Sequence, residues 1–286
     1  MLEGEFRLDG YAFGTPDHPV IILANGFDSG SVSPRAQDAE VRDTTLFGRD
    51  FHTGPTWAFT LGIEHEDADA AIAELARVWR NPAVRLTPGV TSTLEFKRNG
   101  REFRVYGRPR HFALTPSNVA SDDWQVIEAD FRVEGTDMFQ NDAQIVSLFL
   151  GEQTETSGVI LPETKPWLLG GSTASGTIIA NVQTLDPAPF VATFTAVDGP
   201  LSQFTLEGEG WGLDFAMTLE VGQTLTVDTR TMTALVDGAS VAGALSRRSS
   251  LAARLWSGAS ALAFTGIDPT GSASVTVSWR STYPIF

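Results

Sequence analysis

The chain has 286 residues, 42% of them apolar and 19% charged, which is enough for two domains with separate cores and too apolar for a disordered chain. It contains no cysteine, which excludes a disulfide framework, a thiolate metal site and a cysteine nucleophile. The formal net charge of −15 has the wrong sign for neutralising phosphates, so nucleic-acid binding through a basic surface is excluded as well.

Residues 1–7 lack a basic stretch followed by an apolar one, so no secretory signal is expected. No apolar run approaches the ~20 residues of a membrane span, and assembly in a cytoplasm is expected. Residues 5–8 and 11–13 flank Asp9-Gly10 and predict a short hairpin, and residues 20–23 predict a buried strand. The polar stretch 26–50, rich in Ser, Asp, Arg and Gly, predicts an extended loop or a long β-arm. Trp57, Phe59, Leu61 and Ile63 then alternate as in a half-buried strand.

One helix is predicted next. Ala71, Ile72, Leu75, Ala76 and Trp79 fall on one stripe at helical spacing, with Asp67 or Asp69 as cap and Glu74 facing outward. Arg77 and Arg80 complement the dipole of its last turn, and Pro82 stops it. The β pattern resumes in residues 93–97 and 101–106, which bracket the Asn99-Gly100 hairpin turn. Residues 124–134 alternate as one long strand.

Between residues 140 and 165 the composition shifts toward Gly, Pro, Ser, Thr and Glu, which marks a joint between domains. The charge also differs across it. Residues 1–168 hold 26 acidic and 15 basic residues, whereas residues 169–286 hold 9 and 5. Beyond the joint, short alternating segments separated by turn signals predict a sandwich, most clearly over 213–229 and 272–283, with Asp237-Gly238 as a hairpin turn.

Chemical motifs are weak. Glu64-His65-Glu66-Asp67 suggests a metal cluster, but adjacent residues point in different directions and no second His follows at the HExxH spacing. Glu207 and Glu209, near Trp211, suggest a glycosidase pair. Gly208, Gly210 and Gly212 instead make the segment a glycine-rich β-edge with exposed acids. Trp211, Trp256 and Trp279 could form a sugar platform or pack in a core. There is no G-x-S-x-G, no Walker A sequence and no G-x-G-x-x-G. No catalytic, cofactor-binding or metal-binding residue is assigned, and the chain is read as not an enzyme.

The order of elements carries a resemblance. Phe6-x-Leu8-Asp9-Gly10-Tyr11 leads to a polar arm, a tryptophan-bearing strand, a helix ending in Val78-Trp79, then Leu94-Glu95-Phe96 and Phe103-Arg104-Val105-Tyr106-Gly107-Arg108-Pro109-Arg110. The second half offers Leu219-x-x-Gly222-x-x-Leu225-Thr226-Val227-Asp228-Thr229, then Val236-Asp237-Gly238 and Val277-Ser278-Trp279-Arg280-Ser281-Thr282-Tyr283. This arrangement resembles the distal tail proteins of long-tailed, non-contractile phages (siphoviruses) over essentially the whole chain.

The resemblance implies a mainly β fold of two β-rich domains. Residues 1–145 would be a β-sandwich or split-barrel ring-forming (belt) domain with one α-helix, residues 146–168 a linker, and residues 169–286 a galectin-like β-sandwich. It implies a virion protein of the tail tip, a homo-oligomeric and hexameric ring joining the tail tube to the tip, with DNA passing through its channel. The implied partners are the tail tube protein, the tail-tip hub protein and receptor-binding fibres, with no cofactor and no membrane insertion. The acidic first half would suit a channel wall that repels passing DNA. Residues 26–50 and the Asn99-Gly100 hairpin are the candidates for reaching a neighbouring copy. The alternative is a galectin-like carbohydrate-binding module recognising host cell-wall glycans through the second half.

Overall fold

The computed structural model describes residues 1–27, 31–34, 39–41, 44–46, 50–64, 68–115, 124–150 and 174–285. The fold is mainly β. It divides into one unit made of Met1–Asp142 with Tyr283–Phe286, and a second unit, Ala143–Thr282.

The first unit opens with β1 (Phe6–Leu8) and β2 (Tyr11–Phe13), joined at Asp9 and Gly10, whose φ angles of 47° and 90° are those of a primed hairpin turn. β3 (Val20–Gly26) pairs with β8 (Thr56–Glu64). Between them lie β4 (Ser31–Pro34), β5 (Ala39–Val41), β6 (Thr44–Leu46) and β7 (Asp50–Thr53). β4 pairs with β7, and β5 with β6, so the predicted polar arm is a β-arm folded back on itself.

Then come α1 (Ala68–Trp79), α2 (Pro82–Leu86), β9 (Ser92–Arg98), β10 (Arg101–Thr115), β11 (Trp124–Val133) and β12 (Asp137–Phe149). The paired order β2-β1-β9-β10-β11-β8-β3 returns to its start through a parallel bridge between Gly14 and Ile21, which closes a small barrel. Alternation fills its interior. Trp57, Phe59, Leu61 and Ile63 of β8, Leu94 and Phe96 of β9, and Ile127 and Phe131 of β11 are all buried in one cluster.

α1 forms where the apolar stripe was predicted, and buries Leu75 and Trp79 in the barrel core. The Trp79 ring meets Phe13 and Phe59 edge-on at 6.3 and 6.1 Å. Asp69 sits inside the first turn rather than capping it, and Asp67 lies outside the described residues. Pro82 does stop α1, and it also starts α2, whose N-terminal Ala83 N–H is capped by Asn81 Oδ1 at 3.0 Å.

The break between units falls inside β12. Its later residues Val146 and Leu148, followed by Leu150, pack into the second core. The remaining residues of the predicted joint, 151–168, lie outside the described ones.

In the second unit, β13 (Ala174–Val182), β14 (Phe190–Thr195), β15 (Leu201–Gly208), β16 (Trp211–Leu219), β17 (Thr224–Asp228), β18 (Thr233–Val236), β19 (Ala239–Ser240), β20 (Gly258–Ile267) and β21 (Ser274–Pro284) form two sheets. One runs β13-β20-β15-β16 and the other β21-β14-β17-β18-β19. Phe194 of β14 meets Phe204, Phe215 and Phe264 of the facing sheet at 5.1–5.8 Å, so the apolar faces of both sheets share one core. Asp237 and Gly238, at φ 50° and 80°, make the predicted hairpin turn between β18 and β19.

Candidate interaction surfaces

The segments singled out for chemistry separate in the structure. Glu207 and Glu209 are both exposed at the β15–β16 turn. Trp211 does not stand free as a platform. It lies across the Gly208 backbone, where a Cβ would come within 2.4 Å of the indole, and its ring meets Phe190 at 4.8 Å. Trp279 is buried at 4% exposure in the sandwich core, whereas Trp256 is 58% exposed. The three tryptophans therefore form no common surface. His65, Glu66 and Asp67 lie outside the described residues, and no metal-binding cluster occurs among the described ones. Among the same residues, no helix is long and apolar enough to cross a membrane.

The Asn99-Gly100 turn is formed, with φ of 52° and 74°, but it is already engaged within the chain. The Glu3 carboxylate accepts both turn N–H groups, from Asn99 at 2.6 Å and Gly100 at 3.1 Å. The Met1 ammonium donates to Glu102 Oε1 at 2.9 Å, which holds the Glu102 carboxyl below the usual range, and Lys97 Nζ donates to the Met1 carbonyl. Glu5 is buried at 3% exposure. Burial alone would raise its carboxyl, but hydrogen bonds from the Leu2 N–H and the Arg7 guanidinium outweigh that and lower it. The N-terminal residues thus fasten the β9–β10 hairpin, and this turn is no free arm.

The described residues of the first unit also line an apolar groove and a cleft. The groove, of about 610 Å³, is lined by Phe27, Trp57, Phe96, Met138 and Ile285, where Phe27 is 44% exposed and meets Trp57 edge-on at 4.9 Å. The cleft, of about 360 Å³, lies beside the loop that follows α2 and collects Arg108, Arg110, Arg132 and Glu134. The sequence reading missed this cleft because its basic residues come from two strands and scatter among acids along the chain.

On α1, Asp69 and Glu74 are exposed. Burial first, and then the nearby Glu74 charge, raise the Tyr11 phenol above its ordinary value.

In the second unit the Asp268 carboxylate is fully buried. It accepts from the Thr270 N–H at 2.9 Å, the Thr270 hydroxyl at 2.7 Å and the Ala273 N–H at 2.7 Å. Burial would raise its pKa, yet these bonds together with one from Ser272 N–H hold it below the usual carboxylate range. This site pins the β20–β21 connection and serves structure.

No protein-family model and no curated protein sequence matches the chain. Solved structures do match its fold. The chain is similar to the SPP1 Dit protein, a paradigm of the hub adsorption apparatus of phages that infect Gram-positive bacteria. The TM-score is 0.61 at 7% identity, covering 98% of both chains. It is also similar to a chain of the phage P2 baseplate in its activated conformation with Ca, at TM-score 0.52 and 11% identity, covering 96% of this chain and 97% of that one. The same baseplate with Sr gives a TM-score of 0.52 at 12% identity. The fold is therefore that of phage hub and baseplate proteins.

Proposed function

We propose that this chain is a distal tail protein of a long-tailed, non-contractile phage, a structural subunit of the virion tail tip. The observation that carries the reading is the end-to-end fold match to SPP1 Dit, which includes both units and 98% of each chain. A match limited to one sandwich would carry little, since such sandwiches host many functions. Here the match extends over the residues of both units.

In this reading copies of the chain close into a six-fold ring that joins the tail tube to the tip and lets DNA pass through. The first unit supplies the ring, and the second faces hub proteins and fibres. Ring closure requires two different complementary surfaces on each copy, because a heterologous contact is head-to-tail. The arm formed by β4 to β7 supports the reading. Among the described residues its strands pair only with each other, so it is an extension that the barrel does not need.

Light scattering across a concentration series, with negative-stain imaging of the peak, tests the proposal. Particles of about six chain masses with a central hole are the expected result. Their absence both in solution and on purified tail tubes would refute it.

A second reading, glycan binding by the second unit, has one observation in its favour, the 58% exposed Trp256. Binding to cell-wall glycans that Trp256→Ala abolishes would establish it.

A further inference from the structure

The sheet β13-β20-β15-β16 has one covered edge and one open edge. The chain covers the β16 side itself. Leu245 bridges Phe215, the Ser246 N–H donates to the Asp214 carbonyl at 2.9 Å, and the Ser250 N–H donates to the Gly212 carbonyl at 3.2 Å. Among the described residues nothing pairs with the outer side of β13, which ends the sheet and is bonded only to β20. An open edge is a row of unpaired backbone N–H and C=O groups, and proteins blunt it with charge, proline, a bulge or a short strand.

β13 carries none of these devices. It is nine residues long, and its ladder with β20 runs from Ala174 opposite Gly266 to Val182 opposite Gly258 without a register shift. No charged residue falls between Lys165 and Asp186, and no proline falls within the strand. In the facing sheet, by contrast, the edge strand β19 has two residues.

The side chains of β13 alternate. Ala180 and Val182 are buried in the sandwich core, whereas Thr177, Ile179 and Asn181 are exposed on the outer face. Ile179 is 71% exposed. Its ladder partner is Ala261, with Ala259 and Ala263 on either side, so the isoleucine stands above a row of methyl groups too small to cover it.

Only another extended backbone matches such a row of donors and acceptors, and an identical strand does so without conflict. About a two-fold axis at Ile179, the antiparallel register sets Ile179 against the copy's Ile179 and Thr177 against the copy's Asn181. The first pair is β-branched and apolar, the second can exchange hydrogen bonds, and no like charges meet.

We infer that the β13 edge is a docking site for the β13 edge of a second copy of this chain, paired antiparallel about Ile179 so that one sheet continues through both copies. The inference goes beyond the ring reading. Ring closure is head-to-tail, whereas this contact is two-fold, and neighbours within a six-fold ring are not related by a two-fold axis. Pairing through β13 therefore joins free subunits or subunits of separate rings.

A chain without cysteine allows a direct test. Ile179→Cys in the full chain, treated with a short bis-maleimide across a concentration series, should give a crosslinked pair of chains. Thr177→Cys should not crosslink to itself, because its two copies stand four residues apart along the paired strands, about 13 Å. Mixing Thr177→Cys with Asn181→Cys should restore the product. In sedimentation, Ile179→Lys and, separately, Asn181→Lys should weaken the two-fold association by at least about tenfold. Both positions are exposed, so neither change enters the core.

Equal crosslinking at all three positions overturns the inference, as does an association that both lysine variants leave unchanged. An Ile179→Cys thiol that maleimide does not reach in the monomer would show the chain covering its own edge, and would overturn it too. Intact rings whose Ile179→Cys subunits do not crosslink would remove this contact and leave the ring reading standing.

Discussion

Replacing the Asp268 carboxylate should unfasten the second unit. The residue is fully buried between β20 and β21, and its two oxygens accept from Thr270 and Ala273 at 2.7–2.9 Å and from the Ser272 N–H as well. The loop across from it is packed just as closely, since a Cβ at Gly199 would come within 2.7 Å of Asp268 Oδ1. Asp268→Ala leaves the Ala273 N–H without its acceptor and opens a small void, a cost of about 3–5 kcal/mol. Asp268→Asn keeps an acceptor for Thr270 but turns an NH₂ toward the Ala273 N–H, which costs about 1–3 kcal/mol. Guanidinium unfolding followed by tryptophan emission reads both.

The acid dependence supplies an internal check. The folded pKa of Asp268 is lowered, so its contribution is fully present above the ordinary value of about 3.9. That contribution is lost as pH falls through the lower folded value. The gap between wild type and Asp268→Asn should hold from pH 7 to about 4 and shrink below that. An alanine variant within about 1 kcal/mol of wild type at pH 7, or a gap that widens in acid, would refute the account.

Three further outcomes are expected. Gly208→Ala should displace the Trp211 indole, because the added Cβ falls 2.4 Å from it, with a cost of about 1–3 kcal/mol and a red-shifted tryptophan emission. Unchanged emission would show that the ring does not lie on this backbone. Glu207→Gln with Glu209→Gln should shift stability by less than about 0.5 kcal/mol and leave any wall-hydrolysing activity of the preparation unaltered, since both side chains are exposed at a turn. Excising residues 28–53 with a short Gly-Ser bridge between Phe27 and Gly54 should leave the barrel's denaturation midpoint in place, because Gly26 already stands opposite Ala58. The same excision should cost ring formation, and intact rings would discharge the arm from that role.

The sequence by itself determined the local geometry and the inward-facing residues. Asp9-Gly10, Asn99-Gly100 and Asp237-Gly238 are turns at positive φ, as their chemistry requires. The helical stripe through Leu75 and Trp79 and the alternation in β8, β9 and β11 are the buried faces. These follow from interactions among residues close in sequence, whose signal is periodicity. The resemblance in fold was legible only through the order of such elements.

Tertiary structure decided what periodicity cannot carry. The alternation through 213–229 conceals a change of sheet: β16 belongs to one layer and β17 to the other, with the turn at Gly222 between them. Burial on either layer produces the same pattern, so only pairing partners distinguish the two. The pairing of β1 with β9, and the return of the C-terminal residues to the first unit, are contacts between distant segments. The basic cleft has the same origin. Arg108, Arg110 and Arg132 are unremarkable along an acidic chain, and they come to line one cleft only because β10 and β11 pair in the register that sets Arg108 against Arg132. Charge acts through space, and the chain's order does not record which charges will be neighbours.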